Sequence, residues 1–186
     1  MSPAGPINEF VAQLQDHEGR GWLPDVPPNL GDGKAKGLSI LRDPGRFTLK
    51  SGVLSGENRD PTTARQLELF AKFDISLAHV LPWNAYPWFI DRKPSSADLD
   101  AGAKVLSALV DLLPALRGVL LQGNEAAAAW DRVIGWRPRL VEQRGLVVAR
   151  CIHPSPRALI CDQTEREARK KRQENAFRCF GEALSG

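Results

Sequence analysis

The sequence predicts an α/β fold, a three-layer α/β/α sandwich around a central, mainly parallel four-stranded sheet. Two observations predict it. Short runs of apolar and β-branched residues alternate with longer segments of helical periodicity, in the order strand then helix, repeated four times. Each strand-like run is closed by turn-forming residues such as Pro, Gly or Asn. This alternation is typical of parallel sheets that are covered by helices on both faces.

Length and composition indicate one domain that spans residues 1–186, with an ordinary hydrophobic fraction of 42%. The formal charge of +3 is compatible with nucleic-acid binding without requiring it. The three cysteines are odd in number and widely spaced, which fits neither a disulfide framework nor a zinc motif and favours a reducing compartment. No leader pattern and no apolar run of ~20 residues is present. We therefore expect a cytoplasmic protein with no membrane partner.

The elements in the first half of the chain follow from local signals. Residues 6–17 are expected to form a short helix and residues 22–36, rich in Pro and Gly, a covering loop. Gly37–Leu41 reads as a strand, and residues 47–60 read as a polar, Gly-rich loop. Asp60 is placed to cap a helix that runs to about Phe73.

The second half repeats the alternation. We predict strands over 77–83, 118–122 and 147–152, and helices from Ser95 or Ser96 to Leu113, over the alanine-rich segment after Glu125, and from a capping box at Thr164 onward. The segment 136–139 is expected to be a connecting loop.

Three polar side chains, Asp43, Asn84 and His153, follow different predicted strands. The carboxyl ends of parallel strands share one edge of the sheet, so we expect these groups to converge on one crevice, where open α/β folds bind ligands. Each has a structural alternative when taken alone: an Asp-Pro-Gly turn, an Asn that bonds its own turn, and a buried structural His.

The string His153-Pro154-Ser155-Pro156-Arg157 resembles the second signature of the uracil-DNA glycosylase superfamily, particularly its single-strand-selective branch. Asp43-Pro44 is similar to the Asp-Pro of the first signature, although the preceding Leu41-Arg42 departs from the usual Gly-x pair. A Gly-Asn turn between a strand and an alanine-rich helix also resembles the superfamily's core.

The resemblance implies a role for each matching residue. Asp43 would orient water and stabilise the sugar cation, His153 would donate to O2 of the departing base, and the Asn84 amide would read the base edge. An amide offers one donor and one acceptor, which fits the O4 and N3–H groups of uracil, whereas cytosine would present a donor to a donor.

Other contacts to base and DNA are less sharply predicted. The aromatic residue that stacks on the base in the family has no counterpart after Phe47, and the candidates for that role are Phe47 or a Trp elsewhere. Trp83, Tyr86 and Trp88 are either packing residues, which we favour for two of the three, or stacking platforms. Glu57 and Asn58 either line the pocket or belong to a solvated loop, which is the commoner case for each residue taken singly. Ser155 and Arg157 are assigned as DNA contacts and Leu159 as an apolar wedge. The cationic run 169–172 is either a solvated face or a DNA contact.

The expected activity is that of a monofunctional DNA glycosylase, a monomer that removes uracil or a related damaged base flipped out of DNA. No metal or organic cofactor is required by this chemistry, and three scattered cysteines cannot supply the four ligands of an iron–sulfur cluster. One alternative is a superfamily member that binds DNA or a modified base without cutting it. A small-molecule hydrolase on a flavodoxin-like sheet is disfavoured, because no Gly-x-Ser-x-Gly elbow, phosphate loop or metal triad is present.

Overall fold

The structure, a computed structural model, describes residues 5–15, 20–27, 33–54 and 61–186. The strands are β1 (Gly37–Leu41), β2 (Val80–Asn84), β3 (Gly118–Gln122) and β4 (Val147–Cys151). The helices are α1 (Pro6–Gln15), α2 (Arg46–Ser51), α3 (Pro61–Lys72), α4 (Ser96–Asp111), α5 (Asn124–Trp136), α6 (Leu140–Arg144) and α7 (Gln163–Ser185). The four strands form one all-parallel sheet in the order β2-β1-β3-β4, which confirms the predicted fold class.

The sheet is covered on both faces, because alternate side chains of each strand point to opposite sides. On one side Leu38, Ile40 and their counterparts in β2 and β3 pack against α1, α4 and α5. On the other side Val80 and Leu120 pack against α3 and α7. This second face carries the last residues of β2 and β3, which lie beside the candidate site.

Helix α7 approaches the sheet very closely because two strands begin with glycine. A Cβ on Gly37 would lie 2.6 Å from the Phe180 ring, and one on Gly118 would lie 3.0 Å from the same ring. Phe180 is completely buried there. The absence of side chains at both positions therefore lets α7 lie flat against β1 and β3.

Several boundaries differ from the sequence prediction. The segment expected to be a Gly-rich loop begins with the short helix α2, and α6 precedes the last strand. Strand β2 starts only at Val80, because residues 77–79 form a 3-10 turn. Strand β4 is only partly buried, since it lies at the edge of the sheet.

The start of α7 is also a correction. Its N-cap is Asp162, whose carboxylate accepts a hydrogen bond from the backbone N–H of Glu165 at 2.9 Å. The capping box predicted at Thr164 does not form, because the helix has already begun there. Asp60, Glu57 and Asn58 lie outside the described residues. None of the described helices combines the length and the apolar character that crossing a membrane requires.

Candidate active site

A cleft of about 1200 Å³ opens at the carboxyl edge of the sheet, on the face covered by α3 and α7. The lining includes six of the seven residues predicted to act in catalysis, base binding or DNA binding: Asp43, Phe47, Asn84, His153, Ser155 and Arg157. The volume is ample for a nucleobase with its sugar. The convergence expected from parallel topology is therefore present.

Backbone hydrogen bonds beyond the strand ends hold the Asp43 and Asn84 segments together. Leu41 pairs with Asn84 in the sheet register. The ladder continues outward, since the Ala85 N–H donates to Leu41 O at 2.8 Å and the Tyr86 N–H donates to Arg42 O at 3.0 Å. These bonds hold the backbone of the Asp43 segment against the backbone that follows Asn84.

Helix α4 supports this unit from behind through Gly102. A Cβ on Gly102 would lie 1.8 Å from the Ala85 carbonyl oxygen, a separation that no side chain tolerates. The helix thus presses directly on the backbone that follows Asn84. It is anchored at its own start by a capping box between Ser95 and Asp98.

The Asp43 carboxylate is largely enclosed, with 7% of its side chain exposed, and it forms an ion pair with the guanidinium of the adjacent Arg42. Burial raises the pKa of Asp43 above the usual aspartate value, the Arg42 hydrogen bond opposes that rise, and the negative charges of Glu125 and Asp91 add to it. Arg42 is therefore the group that favours the ionised form of this carboxyl.

Asn84 is 1% exposed and is the last residue of β2. Its amide nitrogen Nδ2 has no hydrogen-bond partner among the described residues. An unmatched buried donor costs about 1–3 kcal/mol, so such groups in folded proteins demand an explanation. A ligand acceptor in the cleft would supply the missing partner.

His153 is held by its own turn and by the neighbouring strand connection. Its Nδ1 accepts a hydrogen bond from the Ser155 backbone N–H at 3.1 Å. In the neutral ring the proton must then reside on Nε2, so the histidine is set as a donor through that atom. Gly123, at φ +102°, packs against its Cβ from the β3–α5 turn.

Phe47 is the aromatic residue best suited to meet a base. It lies on α2, lines the cleft and is 49% exposed. Trp83, Tyr86 and Trp88 are all at least 96% buried, so all three are packing residues rather than two of them. Trp83 nevertheless touches the cleft, and its indole Nε1 has no partner within the described parts of the chain.

The segment after His153 contains the predicted DNA contacts. Pro156–Leu159 forms a 3-10 turn, and Ser155 and Arg157 line the cleft. Leu159 is half-buried and is not among the described lining residues; its carbonyl accepts from Arg166 Nε at 3.1 Å. The next residue, Ile160, is 78% exposed. The protruding apolar side chain of this turn is therefore Ile160.

Sequence reasoning missed Glu125 as a cleft residue. It is the second residue of α5, directly after the β3 edge, and it forms an ion pair with Lys93 at 3.2 Å. Burial alone would raise the pKa of Glu125, but its own backbone N–H and the Lys93 ammonium hold that pKa below the usual value. Its position after a strand end, like that of Asp43, is the signal that would have identified it.

The described residues contain no cluster of three or more His, Cys, Asp or Glu side chains that could hold a metal ion. All three cysteines are free thiols. Burial raises the pKa of Cys151, the last residue of β4, to about 12, so it stays protonated near neutral pH.

The cleft thus combines an enclosed carboxylate, an oriented imidazole, an accessible aromatic ring and a buried amide whose nitrogen has no partner in the part of the chain that the structure describes. Comparison with known proteins matched the chain to no family model and to no curated relative.

Proposed function

We propose that this chain is a monofunctional DNA glycosylase, which hydrolyses the N-glycosidic bond of uracil or a related damaged base flipped into the cleft. The observation that carries the proposal is the Asn84 amide, which is buried in the cleft that Asp43 and His153 also line and whose Nδ2 has no partner among the described residues. A carbonyl oxygen such as O4 of uracil would satisfy that donor.

The roles of Asp43 and His153 follow from the charges that develop on the sugar and on the base during the reaction. Cleavage of the bond leaves positive charge on the sugar and negative charge on the base. The Asp43 carboxylate stabilises the sugar cation and orients the attacking water, and His153 donates through Nε2–H to O2 of the departing base. One preorganised donor of this kind is typically worth ~10²–10³ in rate.

Base capture requires a surface that replaces stacking in DNA. Phe47 offers an accessible ring in the cleft. Ser155 and Arg157, which line the cleft, would contact the phosphates on either side of the flipped nucleotide. Ile160 is far more exposed than the half-buried Leu159, so it is the better candidate to enter the gap in the stack. Flipping costs a few kcal/mol, which these contacts must offset.

The test is base release from single- and double-stranded oligonucleotides that contain one uracil, measured under single-turnover conditions. Asp43→Asn and His153→Ala are each expected to lower the rate at least ~100-fold. Asp131→Asn, which removes an exposed, ion-paired carboxylate remote from the cleft, and His79→Ala, an exposed histidine, are matched controls expected to retain the rate. A rate insensitive to Asp43 and His153 would refute the assigned roles.

A second candidate is a protein similar to the uracil-DNA glycosylases that binds DNA or a modified base without hydrolysing the N-glycosidic bond. The Arg42–Asp43 ion pair favours it, because a carboxylate engaged by a guanidinium is a poorer ligand for water. This candidate predicts binding of the uracil oligonucleotide without base release, even after Arg42→Gln. Hypoxanthine and hydroxymethyluracil substrates would separate it from a glycosylase with another base preference.

A further inference from the structure

Helix α7 presents a charged stripe to the cleft. Glu165, Arg169 and Arg172 recur at intervals of four and three residues, so they lie on one face of the helix, and all three line the cleft. The other residues of the cationic run, Lys170 and Lys171, are exposed and are not among the described lining residues. Within the cationic run, Arg169 and Arg172 therefore face the cleft, whereas Lys170 and Lys171 face solvent.

Glu165 holds both arginines with a single oxygen atom. Its Oε1 accepts from Arg169 Nε and from Arg172 Nη2, each at 2.9 Å. One carboxylate therefore faces two guanidinium groups, and one positive charge remains uncompensated within the trio. Arg172 is 63% exposed, so it can exchange its partner without unfolding any structure.

The two arginines differ in their other contacts. Arg169 also donates through Nη1 to the Ala158 carbonyl at 2.7 Å, which ties α7 to the turn that carries Ser155 and Arg157. Arg172 has one hydrogen-bond partner among the described residues, the Glu165 carboxylate. Arg169 therefore positions the turn, and Arg172 is the exchangeable member of the pair.

We propose that Arg169 and Arg172 form a backbone-phosphate subsite on α7, with Glu165 as a built-in carboxylate that a DNA phosphate displaces. Planar guanidinium groups bind phosphate and carboxylate oxygens with the same geometry, so the Glu165 oxygen marks where a phosphate oxygen would sit. The choice of DNA as the ligand rests on the proposed function. The strand would then run from the turn at Arg157 along the first half of α7.

The test measures binding of a fluorescein-labelled oligonucleotide that contains only normal bases, so that no base is released during the measurement. Arg172→Gln is expected to weaken binding roughly three- to tenfold and to lower the salt slope by about 0.7–0.9, the contribution of one phosphate. Glu165→Gln is expected to tighten binding by a similar factor, since both guanidiniums are then open to phosphate.

The same helix provides matched controls. Arg178 and Glu182 form an exposed ion pair at 2.7 Å and do not line the cleft within the described chain. Arg178→Gln and Glu182→Gln change the net charge equally and are expected to leave binding within about twofold of the unmodified protein, because only long-range attraction is altered. If the Arg178 and Glu182 variants changed oligonucleotide affinity as much as the Arg172 and Glu165 variants, the proposed subsite would be refuted.

Base release from a uracil oligonucleotide, measured on the same variants, separates the two proposals. Opposite changes in binding for Arg172→Gln and Glu165→Gln, with no base release from uracil, hypoxanthine or hydroxymethyluracil oligonucleotides, would support the subsite and refute the glycosylase chemistry. Base release with Arg172→Gln binding like Arg178→Gln would refute the subsite and leave the chemistry standing.

Discussion

A Cβ on Gly123 would lie 3.3 Å from the Cβ of His153, so the turn between β3 and α5 packs directly against the histidine. Gly123 also adopts φ +102°, a conformation that disfavours any side chain. Its N–H donates to the Cys151 carbonyl at 2.9 Å, which fixes the turn on β4. A single glycine thus packs against a proposed catalytic residue that lies just beyond the end of the neighbouring strand.

Gly123→Ala is expected to displace His153 and lower base release ~10–100-fold, because small misplacements of a reacting group are costly. The free energy of unfolding should fall by about 1–2 kcal/mol from strain at positive φ. Gly135→Ala is the matched control, since a Cβ there meets nothing within 4 Å and helix propensity favours Ala by ~0.5–1 kcal/mol. Unchanged single-turnover rates in Gly123→Ala would contradict the positioning role.

Arg42→Gln is expected to move the acid limb of the pH–rate profile to higher pH. The reaction needs ionised Asp43, whose pKa burial raises and Arg42 lowers, so loss of Arg42 leaves the carboxyl protonated over a wider range. Single-turnover rates between pH 4 and pH 8 would measure the shift. Arg150→Gln, which breaks an exposed ion pair with Asp131, should leave the limb in place.

Asn84→Leu is expected to lower the rate of base release without lowering the free energy of unfolding. Leucine has a similar size and removes the unmatched buried donor, so the free energy of unfolding should stay equal or rise by up to ~1 kcal/mol. Base release should fall at least ~100-fold, because the base edge loses its donor. Chemical denaturation and single-turnover assays measure the two effects.

Gln173→Leu provides the control for that experiment. Gln173 is 1% exposed, its Nε2 also lacks a partner among the described residues, and its Oε1 accepts only a long 3.4 Å bond from Arg65. Its replacement should leave base release unchanged. A large loss of stability in Asn84→Leu, with none in Gln173→Leu, would show that the Asn84 amide is structural.

The capping box of α4 gives a prediction about acid stability. The Arg92 guanidinium, and then the backbone and hydroxyl of Ser95, lower the pKa of Asp98 to about 2. A depressed pKa stabilises the fold fully above the ordinary value near 4 and loses that contribution as the pH falls toward 2. Asp98→Asn should therefore flatten the fall in melting temperature over that window. Ser95→Ala should cost about 1 kcal/mol at neutral pH.

The strands and the convergence of the site were predictable because both follow from strong, simple rules. Gly37–Leu41 and Gly118–Gln122 are short, mostly apolar runs that begin with glycine. Parallel topology alone brings Asp43, Asn84 and His153 to one edge. Helix α2 was missed because it has six residues and a glycine N-cap without a side-chain bond. No local pattern distinguishes such a helix from a loop.

Other errors arose where two signals compete. Asp162 and Thr164 each have a Glu three residues later, so both fit a capping pattern. The earlier residue is used, and the helix is about half a turn longer as a result. The Arg42–Asp43 ion pair depends on how the turn folds back on itself, and the burial of Trp83, Tyr86 and Trp88 depends on tertiary packing. Neither is encoded in residue type or spacing.

The strand order β2-β1-β3-β4 also leads us to expect that the cleft forms late in folding. Parallel neighbours cannot be joined by a tight hairpin, so each pairing must wait for a long crossover, and such non-local contacts form slowly. His153 follows β4, the last strand in the chain, which docks on β3 at the outer edge of the sheet and lies under α7. During refolding, base release should therefore recover later than the helical circular dichroism signal. Recovery of base release would then report when β4 pairs with β3.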